Sequence, residues 1–135
     1  MKNSKTSLFE YKSSVGPSEY HLIVEVTNPM LNYGEQLAEL LTAYDDALKQ
    51  LPGTVSVFKR YFLSDAANQA DSLMANETSG CAVSVVEQAP LNGTKIALWA
   101  YLVAGVQTRT LQGGLFEVAH GNYRHYWVGG AFNRA

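Results

Sequence analysis

The chain has 135 residues, the size of one domain, since two halves would each be too small for a good core. Hydrophobic residues make up 47% and charged residues 16%, a balance that excludes general disorder. The net charge of −2 gives neither nucleic acid nor an anionic membrane surface an electrostatic partner, and the single cysteine, Cys81, excludes an internal disulfide or a multi-thiolate zinc site.

Residues 1–7 are polar, carry Lys2 and Lys5, and read as a frayed end with no apolar stretch for a secretory signal. Leu8–Lys12 and Tyr20–Thr27 read as strands, with a turn at Gly16-Pro17-Ser18 between them. The second is the clearer one, because Leu22, Val24 and Val26 alternate with Ile23 and Glu25. Tyr33–Gln50 reads as a helix: Leu37, Leu40, Leu41, Tyr44, Ala47 and Leu48 recur at helical spacing, and Pro52-Gly53 ends it. Thr54–Leu63 is rich in Val, Phe and Tyr on both faces, which predicts a central strand in a sheet covered on both sides. The pair Lys59-Arg60 reads as a solvated end of that strand.

Ser64-Asp65 can cap a second helix, Ala66–Ala75. Cys81–Gln88 and Thr94–Ala104 read as two more strands, joined as a hairpin by Asn92-Gly93. Gly114–Ala119 and Asn122–Val128 read as a last hairpin turning at His120-Gly121. The order β-β-α-β-α-β-β, with an extra hairpin, predicts an α+β sheet with both helices on one face. The longest apolar run, Ile96 to Val106, falls short of the roughly twenty residues of a spanning helix. The expected location is the cytoplasm, where a lone reduced cysteine is normal.

Two segments resemble a known family. Leu37–Leu73 carries an amphipathic helix, a glycine turn, a strand with Val57, Lys59, Phe62, Leu63 and Asp65, and a second helix. Ser84–Val103 carries two strands with Pro90 just before their turn. Together they resemble a RidA/YjgF protein, the family often labelled endoribonuclease L-PSP, over roughly residues 20–104. Residues 1–135 then form a single RidA-like domain, with 105–135 as a C-terminal extension. The resemblance implies a chorismate-mutase-like fold, a homotrimer, and ligand clefts at the subunit interfaces. Active members deaminate enamines or imines, using an arginine for the substrate carboxylate and a glutamate to position water. The arginine position falls on Ser79 or Cys81 in this chain, and the glutamate position falls near Ala97. No Asp or Glu occurs between Gln88 and Leu115. A carboxylate clamp needs a fixed cation, and water activation needs a base in reach, so no catalytic residue carries over.

The densest polar and aromatic stretch runs from His120 to Trp127. There Arg124 can hold an anion, His125 can transfer a proton, and Tyr123 can stack on a ligand. Strand alternation puts Tyr123, His125 and Trp127 on one face and Arg124 and Tyr126 on the other. Cys81 and Trp99 are further candidate wall residues, each with a simpler reading as core. The three histidines show no metal-ligand spacing, and no cofactor motif is present. The expected function is a RidA-like homotrimer that binds a small anionic metabolite at its subunit clefts, with the deaminase residues lost. The alternatives are a hydrolase of the enamine/imine deaminase type with a changed active site, and a structural or partner-binding trimer.

Overall fold

A computed structural model of the chain describes residues 3–12, 18–77, 81–105, 107–111, 115–120, 123–128 and 131–132. The elements run β1 (Ser4–Lys12), β2 (Ser18–Val26), α1 (Tyr33–Lys49), β3 (Thr54–Leu63), α2 (Ala66–Asn76), β4 (Ala82–Glu87) and β5 (Ile96–Ala104). They are followed by β6 (Gln107–Thr110), β7 (Leu115–His120), β8 (Tyr123–Val128) and β9 (Ala131–Phe132). The architecture is α+β. One mixed sheet has the order β1-β2-β5-β3-β4-β9, and a three-stranded sheet has the order β6-β7-β8.

Alternation decides which side of the large sheet the helices take. Leu22, Val24 and Val26 of β2, Tyr61 and Leu63 of β3, and Ile96, Leu98, Ala100 and Leu102 of β5 form one buried cluster. Leu37, Leu40 and Tyr44 of α1 and Ala66, Ala70 and Leu73 of α2 belong to the same cluster, so both helices cover one face. Asn32 starts α1 with a reciprocal cap. Its side chain accepts from the Glu35 amide at 2.8 Å, and its own amide donates to Glu35 Oε1 at 3.0 Å. Gly53, at φ +81°, turns the chain after α1, in the left-handed region that other residues avoid. Asp65 stands at the N-cap of α2 without a side-chain cap bond, and the Ala66 amide donates instead to Glu87 Oε1 of β4 at 3.0 Å.

Four expectations change. Ser4–Ser7 is not a frayed end: it pairs with β2 along a register that runs from Ser4 opposite Val26 to Ser7 opposite Ile23. The strands β4 and β5 do not form a hairpin, because β3 lies between them, parallel to β4 and antiparallel to β5. Asn92-Gly93 turns a longer connection instead. Asn92 Oδ1 accepts from the Thr94 amide at 3.1 Å, and its Nδ2 donates to the Val26 carbonyl at 2.9 Å, which ties the loop to the end of β2. β3 is central as expected, yet helices cover one side of it only. The last hairpin is present as β7 and β8, but β6 joins it and β9 adds a short parallel edge to β4. The expected turns at Gly16-Pro17 and at Gly121 lie outside the described residues. Among the described residues no helix is long and apolar enough to cross a membrane.

Candidate functional site

The face of the large sheet turned away from the helices carries the other half of each alternation. β2 contributes His21 and Ile23, β5 contributes Trp99 and Tyr101, and β3 contributes Phe58, Arg60 and Phe62. Register sets Tyr101 between His21 and Phe58, and Trp99 between Ile23 and Arg60. From the second sheet, Trp127 of β8 packs against Phe58 and Tyr101, with ring centroids 5.6 and 5.2 Å away. Phe58 meets Trp99 edge-on at 5.7 Å, and His21 meets Tyr101 at 5.2 Å. His21, Trp99, Phe58, Trp127 and Tyr101 thus close a circuit of aromatic contacts.

Two polar handles of this circuit, the Trp99 N–H and the Tyr101 hydroxyl, are engaged within the protein. The Trp99 indole N–H donates to His21 Nδ1 at 3.1 Å. An indole nitrogen only donates, so Nδ1 presents its lone pair and the neutral imidazole carries its proton on Nε2. The two rings lie 6° from parallel with centroids 5.7 Å apart. With a hydrogen bond between their edges, that spacing makes them one coplanar plate rather than a face-to-face stack. The Tyr101 hydroxyl donates to Glu19. Burial first, then the Glu19 hydrogen bond and charge, push the Tyr101 phenol well above its usual range.

Arg60 is the exception. Its guanidinium carbon lies 5.3 Å from the Phe58 ring centroid and 5.8 Å from that of Trp99. Its Nε is buried and has no hydrogen-bond partner among the described residues. A buried donor left unpaired costs about 1–3 kcal/mol, which contact with two aromatic faces offsets only in part. The reading of Lys59-Arg60 as a solvated strand end is therefore corrected. Neighbouring strand residues point to opposite faces, so Arg60 joins the aromatic side while Lys59 is buried under the helices, 3% exposed. Lys59 Nζ lies 3.2 Å from both carboxylate oxygens of Glu77 and 4.2 Å from the centre of the Tyr44 ring. The Tyr61 hydroxyl donates to the same carboxylate, and Tyr44 is hydrogen-bonded to Ser56. Burial and then the Glu77 charge drive the Tyr61 phenol far up.

Of the residues singled out from sequence, Trp99 lies in the aromatic circuit. Cys81 is half-buried where β4 begins and packs against the apolar clusters of both faces. Arg124 is not a free cation: its Nη1 lies 3.2 Å from Oε1 of the buried Glu117, a diagonal pair across β7 and β8. The side chains of Tyr123 and His125 lie outside the described residues. His21, Phe58, Arg60 and Tyr101 were missed. The available signal was parity: Arg60 sits midway between Phe58 and Phe62 in a strand too apolar to be an edge.

A groove of about 480 Å³ between β1 and α1 is lined by Ser4, Thr6, Glu39, Thr42, Asp46 and Gln50 among others, whose charges are acidic. Among the described residues no cluster of His, Cys, Asp and Glu is fit to hold a metal. Comparison with protein-family models, curated proteins and solved structures gave no match for this chain.

Proposed function

We propose that the chain is a RidA-like subunit that binds a small anionic metabolite on its helix-free sheet face, at clefts between three copies. Arg60 is the cation that holds the ligand. The observation that carries this reading is the buried, unpartnered Nε of Arg60 on a face with no carboxylate paired to it among the described residues. A planar guanidinium with free N–H groups is suited to an oxyanion. Support for the RidA-like part comes from the resemblance in residues 20–104 and from two features of the fold. Helices alternate with strands as that family requires, and both helices lie on one face of the sheet.

The same face accounts for self-association. Ile23, Phe62, Val86, Trp99 and Tyr101 are only half-buried in the single chain, and no helix covers them. Apolar area of this kind is removed from water by a second copy at about 25 cal/mol per Å². The family deaminase chemistry is absent from this reading. The glutamate position falls near Ala97, where no carboxylate offers a base to water, and the arginine position falls on Ser79 or Cys81.

Light scattering combined with a fluorescence titration tests the proposal. Both tryptophans of the chain, Trp99 and Trp127, belong to the aromatic circuit, so their emission reports directly on this face. The expected mass is three times 14.8 kDa. Pyruvate, as a short 2-oxo carboxylate, is expected to change the emission saturably in the native chain and not in Arg60→Gln. A monomer mass defeats the trimer, and an unchanged response in Arg60→Gln defeats the anion site.

A further inference from the structure

We infer that the preferred ligand of this face is a planar aromatic carboxylate, held more tightly than a compact aliphatic acid such as pyruvate or a phosphate. The inference rests on the reading that Arg60 holds an anion, and it adds what the rest of that ligand must be. Around Arg60 the surface is aromatic: Phe58 and Trp99 flank the guanidinium, and His21 extends the Trp99 plane. Two of the polar groups that could read a hydroxylated ligand are already engaged. The Trp99 N–H is bound to His21, and the Tyr101 hydroxyl is bound to Glu19. A sugar or nucleotide body laid here would find few partners for its many donors and acceptors, at a cost for each group buried unpaired. A flat, apolar ring meets no such cost and gains offset or edge contacts with the half-buried plate of His21 and Trp99.

The charge of the ligand follows from the same arrangement. Aromatic faces attract cations, and a closed circuit of them is in principle a cage for an ammonium group. Here the faces of Phe58 and Trp99 nearest the centre of charge are occupied by the guanidinium itself. Beside these two rings the charge left without an ionic partner is positive, and the carboxylates of this face, Glu19 and Glu25, stand on β2 with β5 between them and Arg60, so the ligand held here brings the negative charge. A carboxylate conjugated to a ring lies in the ring plane, and the guanidinium fork is also planar. A tetrahedral phosphate shares the charge but not the flatness.

Calorimetric titration of the full chain with four probes separates the possibilities: benzoate, cyclohexanecarboxylate, pyruvate and inorganic phosphate. Benzoate is expected to bind about tenfold more tightly than cyclohexanecarboxylate, a difference within the range of one good aromatic contact. Arg60→Gln is expected to abolish binding of both. Trp99→Leu is expected to erase the preference for benzoate while keeping weak, Arg60-dependent carboxylate binding. Should Trp99→Leu not fold, His21→Leu removes the other half of the plate and is expected to reduce the preference. Equal binding of benzoate and cyclohexanecarboxylate, both requiring Arg60, overturns the aromatic assignment and leaves the anion site standing. Phosphate binding as tight as benzoate overturns it too. No binding of any probe, or binding indifferent to Arg60→Gln, overturns both readings together.

Discussion

Removing the Glu77 carboxylate should be among the most damaging single changes this fold can suffer away from its apolar core. The Glu77 side chain is 2% exposed and accepts from Lys59 through both of its oxygens, and the Tyr61 hydroxyl donates to it as well. In Glu77→Ala the Lys59 ammonium, with its side chain 4% exposed, keeps only the Tyr44 ring as a partner among these groups. Breaking a buried pair on one side costs about 3–5 kcal/mol, because the other charge stays out of water unpaired. The Tyr61 hydroxyl also loses its acceptor, which puts the expectation at the upper end of that range. Urea denaturation followed by far-UV circular dichroism measures the loss. Replacing both partners, as Lys59→Met with Glu77→Leu, should recover most of it, since two desolvated charges are removed together. A loss below about 1 kcal/mol in Glu77→Ala, a value typical of exposed pairs, would refute the claim that this pair is buried.

Two further outcomes follow from the fold. Tyr61, Tyr44, Tyr33 and Tyr101 all have phenols raised chiefly by burial, Tyr33 to about 12, so the folded state holds protons that the unfolded chain releases near pH 10. Their contribution to stability is complete below pH 10 and is lost as pH rises above it; an alkaline series should show falling stability with tyrosinate absorbance appearing together with unfolding. Asn32→Ala removes the side-chain half of the cap of α1, leaves the backbone amide of residue 32 its bond to Glu35, and should cost about 1 kcal/mol in thermal unfolding, with α1 the first element to lose amide-exchange protection.

What the sequence revealed was mostly local. The helical stripe from Leu37 to Leu48 and the alternation of Leu22, Val24 and Val26 each follow from the period of one element, and both elements are where the pattern puts them. The misreadings arise where pairing is non-local. Asn92-Gly93 marks a turn correctly, but no short-range signal tells that β3 enters between the two strands it separates. Lys59 and Arg60 look alike in sequence, yet alternation sends one to a carboxylate 18 positions away and the other to an aromatic face. Arg124 looked free because Glu117, its partner, lies across a strand pair that had not been given a register. Of the candidate site, Trp99 was legible as an aromatic in an apolar strand. Arg60 was not, because a single cation gains meaning only from what stands beside it on the sheet.

The most direct test of the account watches the atom on which it rests. In an arginine-labelled sample, the nitrogen-correlated proton spectrum contains one Nε–H signal that disappears in Arg60→Gln and is thereby assigned. Addition of benzoate should shift that signal, as the guanidinium that carries it gains a carboxylate partner, and should leave the Arg124 signal in place. A benzoate titration that shifts other resonances while the Arg60 Nε–H stays still would contradict the account.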